Sequence, residues 1–143
     1  MALPQYTKAV EKSRATEAQT MLANMLTAEQ IYKMAQGKYT TDLTVLDLQL
    51  PTTGTTAEAA AGTVKTKNFN FATTAATDTF SATGTRAQNG TATTVNPYVL
   101  HLAIAANGKV TRWCTGTADI CKSIANGQTC DADKTKDWCY SAS

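Results

Sequence analysis

The chain has 143 residues, of which 43% are hydrophobic and 17% charged, and its formal net charge is +2. That length fits one domain, and a charge so near zero excludes a global field that would drive binding to nucleic acid or a membrane surface. No uninterrupted apolar run reaches the roughly 18 residues of a membrane-spanning helix, and the sequence shows no secretory leader.

From Gln5 to Gln36 there is neither proline nor glycine, and apolar residues recur at helical spacing. Ala18, Met21, Met25, Ala28, Tyr32 and Ala35 form one stripe, which Leu22, Leu26 and Ile31 widen. Lys8, Glu11, Lys12, Arg14, Glu17, Gln19 and Lys33 are expected on the opposite, solvated side, and Glu29 likewise at the helix surface. Gly37 suits a left-handed C-cap, and Lys33 in the last turn suits the helix dipole. A helix of about 32 residues is about 48 Å long at ~1.5 Å per residue. One small domain cannot wrap it, so the remaining chain is expected along one flank. Met21, Leu22, Met25, Leu26, Tyr32 and Met34 are larger than anything before Ala15, which places the expected packing on the second half. Towards the start, Leu3, Tyr6, Ala9 and Val10 form a stripe with no obvious partner inside such a domain, which points to packing between subunits.

Lys38 to Leu48 predicts a turn and a short helix, with Thr41 or Asp42 as N-cap and Leu43, Leu46 and Leu50 as its apolar side, stopped by Pro51. Thr52 to Gly62 is rich in threonine and alanine and is expected to be a surface loop. Strands follow. Val64–Thr74 offers Val64, Phe69 and Phe71 to a core, with a phase break between 64 and 69 that suggests a bulge or late start. Thr77–Arg86 carries Phe80, Ala82 and Gly84 on one face, after a hairpin at residues 75–78. Gln88–Asn96 is a polar loop. Pro97–Ala106 places Tyr98, Leu100, Leu102 and Ile104 on one face, and Asn107-Gly108 predicts a type I′ turn into Lys109–Cys114.

All four cysteines, Cys114, Cys121, Cys130 and Cys139, lie in the last 30 residues of the sequence. Their even number in a loop-rich segment predicts a disulfide framework made in an oxidising compartment, and hence an exported protein. Structural zinc, the competing use, favours ligands two to four residues apart, a spacing absent here. Four cysteines allow three pairings. Near neighbours meet first during oxidation, which favours Cys114–Cys121 with Cys130–Cys139. The rival is the nested pattern, Cys114–Cys139 with Cys121–Cys130.

The resulting plan is α+β: a single domain over residues 1–143, with a long helical spine at 1–36 and an αβ-loop at 37–62. An antiparallel sheet of three to four strands spans 63–114, and a disulfide-closed C-terminal region spans 115–143. Ala2-Leu3-Pro4-Gln5-Tyr6, then Ala9, Ser13-Arg14 and Glu17-Ala18, resembles the point where the N-terminal helix of a type IV pilin leaves its hydrophobic half. In that family a long apolar stretch carrying one glutamate comes first. Here a methionine stands where it would join, so the resemblance implies a soluble form truncated ahead of Pro4. It further implies a structural subunit of a bacterial pilus filament, serving surface adhesion, twitching motility or DNA uptake. Its partners would be other copies of itself in a helical filament and the assembly machinery of the inner membrane, with a host surface or DNA as further partners. Its location would be the extracellular filament, after anchoring in the inner membrane through the missing segment. A pseudopilin of a type II secretion system shares this plan, its major members holding calcium in a C-terminal loop. A soluble extracellular binding or adhesin module, using Trp138-Cys139-Tyr140, is the reading from a different class.

No residue pattern predicts catalysis or a cofactor. His101, the single histidine, lies mid-strand opposite Leu100 and Leu102 and is expected to be solvated or hydrogen-bonded. Asp119, Asp131, Asp133 and Asp137 could offer oxygens to calcium, but Lys134 and Lys136 offset their charge and no glycine turn or closing glutamate accompanies them. Glu11, Glu17 and Glu29 form no catalytic pair. Lys65, Lys67, Lys109 and Arg112, with Lys122, Lys134 and Lys136 and the aromatic residues Trp113, Trp138 and Tyr140, are a weak footprint for nucleic acid.

Overall fold

A helix without internal proline or glycine runs unbroken over Gln5–Gln36 (α1), 32 residues long, and all later elements lie on one side of it. Pro4 enters it with φ −57°, and Gly37 ends it at φ 78°, donating its N–H to Lys33 O at 2.8 Å. The left-handed stop predicted from the sequence is therefore present. A computed structural model describes residues 4–49, 55–126 and 138–139 of the chain.

After α1 comes a single 3₁₀ turn, Leu43–Val45, rather than a helix. Asp42 is its N-cap and accepts from Thr44 N at 3.0 Å, and Leu43 and Leu46 are buried as expected. Leu50 and Pro51 lie outside the described residues. The stretch expected to be a loop holds a short helix, Thr56–Ala60 (α2). Thr55 Oγ1 accepts from Glu58 N at 3.0 Å and donates to Glu58 Oε1 at 3.1 Å. A threonine three residues before a glutamate is a helix-start signal that the alanine-rich composition concealed.

The strands are Thr63–Lys65 (β1), Phe69–Ala75 (β2), Phe80–Gln88 (β3), Thr91–Ala92 (β4), Tyr98–Ile104 (β5) and Val110–Gly116 (β6). A helix, Ala118–Ile124 (α3), and a last strand, Trp138–Cys139 (β7), complete the described chain. All pairings are antiparallel, in the order β1-β2-β3-β5-β6-β7, with β4 on β3. The sheet thus has seven strands, not three or four. Its four long members are the predicted ones, and the three short strands escaped notice for local reasons. The phase break after Val64 is neither a bulge nor a late start: the chain reverses there, with Thr66 N donating to Phe69 O at 2.8 Å, so Val64 and Phe69 reach the core from two paired strands. The two-residue turn with positive φ at both positions is Asn89-Gly90 (50° and 90°), which creates β4. At Asn107-Gly108 only Gly108 is left-handed (85°); the loop is one residue longer, with Gly108 N donating to Ala105 O at 2.8 Å.

Alternation along the strands sends Phe69, Phe71, Phe80, Ala82, Leu100, Leu102 and Ile104 towards α1, where Ala15, Ala18, Leu22, Met25 and Leu26 join them in one buried cluster. The closest approach is at Gly84. A Cβ there would come within 2.9 Å of the Phe71 ring and 3.6 Å of Ala18 Cβ, so two minimal side chains let helix and sheet meet. The buried stretch of α1 runs from Glu11 to Glu29 and leaves both ends bare. The second half is the more buried, as expected, with Leu22, Met25, Leu26, Ala28 and Glu29 turned inward, but not to its end: Tyr32 is only partly buried and Met34 is 86% exposed, because α1 outruns the sheet.

Cys114 and Cys121 are joined, tying β6 to α3 and excluding the nested pattern. Cys139 is also disulfide-bonded; Cys130, its expected partner, lies outside the described residues. The region after Cys114 is not all loop, since α3 packs Ile120, Cys121 and Ile124 into the core beside α1. Truncating Met25, which is wholly buried, to alanine is expected to cost about 2–5 kcal/mol in a denaturant titration. Met34→Ala should stay within about 0.5 kcal/mol; equal losses at both sites would contradict this placement of the helix.

Candidate functional site

Burial on α1 follows Glu11, Ala15, Ala18, Leu22, Met25 and Glu29, so the inward stripe carries a carboxylate near each end. Glu11 and Glu29, expected at the surface, are 6% and 0% exposed. Glu11 meets the sheet at Arg86, whose Nε lies 3.0 Å from Oε1 and 3.1 Å from Oε2. Arg86 follows Phe80, Ala82 and Gly84 on the inward side of β3 and is 8% exposed. Its Nη1 donates to Asn68 O at 3.1 Å and to Ala87 O. Tyr98 at the start of β5 donates its hydroxyl to Glu11 Oε2 at 3.2 Å, and Arg14, one helical turn on, donates Nη1 to Oε1 at 2.8 Å. Burial, then the neighbouring Glu11 charge, pushes the Tyr98 phenol well above its usual range, so it remains a donor. Charges and donors so arranged form a structural clamp between one helix and two strands.

Glu29 is different. Thr40 N donates to its Oε1 at 2.9 Å, while its buried Oε2 has no hydrogen-bond partner among the described residues. Burial pushes its carboxyl up to about 7, against the lowering effect of the Thr40 N–H. The clamp had a visible sequence signal: Glu11 and Glu29 share the heptad-like stripe of Ala15, Ala18, Leu22 and Met25, and Arg86 has the same strand parity as Phe80.

The opposite face of α1 is open. Tyr6 is 80% exposed, Ala9 is exposed and Val10 half-buried, which places three of the predicted packing residues at the free end; Leu3 lies outside the described residues. Following Tyr6 and Ala9 along that face at helical spacing come Ser13, Thr16, Thr20, Thr27, Ile31 and Met34, all exposed and none charged. The expected apolar stripe is buried at Ala18, Leu22, Met25, Leu26 and Ala28, whereas Ile31 and Ala35 are exposed. Lys8, Lys12, Arg14 and Lys33 flank the helix instead of covering its outward side, and Lys33 Nζ is engaged with Asp78 Oδ1 at 2.8 Å and Gly37 O at 3.0 Å. The threonines are satisfied internally: Thr16, Thr20 and Thr27 donate to the carbonyls of Lys12, Thr16 and Ala23 at 3.2, 2.9 and 3.1 Å. A face of small and apolar side chains, without charge and with its threonine hydroxyls already bonded, suits close packing against another helix.

The remaining candidates do not converge. His101 stacks on Trp113 across the β5–β6 pair, with ring centroids 4.8 Å apart and planes within 3°, and its Nε2 lies 2.8 Å from Thr115 Oγ1. Lys65 and Lys67 lie at the β1 end of the sheet, whereas Lys109 and Arg112 lie on the far side, at β6. Arg112 and Trp113 are adjacent in β6 and face opposite ways. Lys122 is exposed on α3. Asp119 lies in the first turn of α3, and Asp131, Asp133, Lys134, Lys136, Asp137 and Tyr140 lie outside the described residues. Among the described residues no three His, Cys, Asp or Glu side chains gather as a metal site, and no helix is long and apolar enough to cross a membrane. Comparison with protein-family models, with curated proteins and with solved structures found no match.

Two outcomes follow from the buried carboxylates. Glu11→Ala strands the Arg86 charge and should cost about 3–5 kcal/mol, whereas Glu11→Met combined with Arg86→Met should recover most of that loss. A double variant as unstable as the single one would contradict the clamp. For Glu29 the folded-state value lies above the unfolded one, so its contribution is fully present below pH 4.5 and lost as pH rises towards about 7. Glu29→Gln should therefore gain on the native protein across that window by roughly 3 kcal/mol, read as the difference between two denaturation series. A difference that does not change with pH would refute the assignment.

Proposed function

We propose that the chain is a structural subunit, a pilin, of a bacterial type IV pilus filament, placed on the extracellular surface and active in adhesion, twitching motility or DNA uptake. The observation that carries this reading is the outward face of α1, which is uncharged from Tyr6 to Met34 while the sheet covers only the other side. A helix about 48 Å long with such a face cannot satisfy it within its own fold. Identical helices bundled in the centre of a filament would cover it, leaving the sheets outward. On this reading the partners are further copies of the chain and the inner-membrane assembly machinery, with the hydrophobic half of the helix preceding Pro4 as the anchor. A pseudopilin of a type II secretion system would share the spine and the sheet. The disulfide-bonded tail cysteine, Cys139, favours the pilus over it.

The test places charge on the outward face. Thr20→Lys with Thr27→Lys, made in the full-length gene, should leave the stability of the folded domain within about 0.5 kcal/mol and abolish surface filaments in electron micrographs. Filaments of normal abundance from that strain, or an unchanged surface after deletion of the gene, would overturn the reading and leave a secreted binding module in its place.

A further inference from the structure

Beside the clamp, the first turns of α1, the end of β3 and the segment 91–96 surround an open cleft of about 670 Å³, within the size range of small-molecule sites. Three charged groups line it: Glu11, Arg14 and Arg86. One carboxylate faces two guanidiniums, so one positive charge is left over. Arg86 is held by Glu11 and by the Asn68 and Ala87 carbonyls. Among the described residues Arg14 makes one hydrogen bond, through Nη1 to Glu11, and its side chain is 41% exposed, which leaves most of its planar fork for a ligand. Beside Ala92 and Val95, the neutral lining carries hydroxyls and carboxamides, including Thr7, Gln88, Thr91 and Asn96, groups that both donate and accept. Thr93 also lines the cleft, and its buried Oγ1 has no hydrogen-bond partner among the described residues.

We infer that this cleft binds a small ligand with one carboxylate beside several hydroxyls, a sugar acid. The carboxylate pairs with the free edge of the Arg14 fork, the geometry in which guanidinium is strongest. The hydroxyls match the donor–acceptor groups of Thr91, Gln88 and Asn96. A single surplus positive charge suits a monoanion and not a phosphate dianion. No aromatic ring lines the cleft to stack on a sugar face, so the affinity is modest, in the millimolar range. The inference does not rest on the filament reading.

The test is a titration of the isotope-labelled chain with sodium glucuronate, followed by backbone amide shifts. Parallel arms use sodium acetate (the carboxylate alone), glucose (the hydroxyls alone) and an oligogalacturonate. Saturable shifts confined to the amides around Arg14 and residues 88–96, tighter for glucuronate than for acetate or glucose, are expected. The oligomer binding more tightly than the monomer identifies a polysaccharide as the source; the reverse identifies a free sugar acid. Arg14→Gln should weaken glucuronate about tenfold, with the rest of the spectrum unchanged. If that variant does not fold, Gln88→Ala, at the exposed end of β3, should weaken binding several-fold instead. Absence of saturable shifts, shifts located elsewhere, acetate or glucose equal to glucuronate, or undiminished binding by the folded variants would each overturn the proposal.

Discussion

The buried contact of Glu11 with Arg86 and Tyr98 sets how the helix lies on the sheet. Apolar packing alone leaves α1 free to slide or roll, because alanine, leucine and methionine side chains accept many neighbours at similar energy. A buried carboxylate accepts very few. Moved by one residue, Glu11 would leave its own charge and that of Arg86 unpaired in the interior, at several kcal/mol. The clamp also explains the rotation of the helix: with Glu11 turned inward, the residues on the far side are Ala9, Ser13, Thr16 and Thr20, and the lysines and Arg14 fall to the flanks.

Close contact is then needed beyond the clamp, and the small residues supply it. Ala18 on the helix and Gly84 on β3 meet where a larger pair would hold the layers apart, and Leu22 and Met25 fill the wider space beyond. Farther along, Glu29 accepts the Thr40 N–H and so fastens the chain leaving α1 back onto it, with Leu43 plugging the core below. The two carboxylates do opposite electrostatic work. Glu11 is paired with two guanidiniums, whereas among the described residues Glu29 accepts only the Thr40 N–H, and its second oxygen has no hydrogen-bond partner. The first fixes geometry; the second makes that end of the spine sensitive to pH.

At the far edge of the sheet the Cys114–Cys121 bridge performs a related task by covalent means. It fastens α3 to β6, so that Ile120 and Ile124 close the core where the strands alone would leave it open. Six residues lie between the two cysteines, and the first turn of α3, which carries Cys121, brings it back over Cys114. Beyond that helix Trp138 and Cys139 pair with Cys114 and Trp113, extending the sheet by a short edge strand.

Much of the fold was legible in the sequence because it depends on local chemistry. The absence of proline and glycine from Gln5 to Gln36 marks one helix, Gly37 its stop, and the alternation of Tyr98, Leu100, Leu102 and Ile104 a strand with one buried face. Sequence proximity likewise suffices for the bridge between Cys114 and Cys121. Other features depend on partners distant in the chain. Glu11 and Glu29 fall on the inward stripe by spacing, but a carboxylate there has a reason only once Arg86, 75 residues beyond Glu11, and the Thr40 amide are placed against them. Asn89-Gly90 and Asn107-Gly108 are the same dipeptide, yet only the first turns with both residues left-handed, because the strand registers on either side, not the dipeptide, set the loop length. Which side of the helix faces water is decided in the same way. Hydrophobic spacing gave most of the inward stripe, through Ala18, Leu22, Met25 and Ala28, but not its extension through Ala15 to Glu11, which the distant Arg86 draws inward, leaving the threonine face outward.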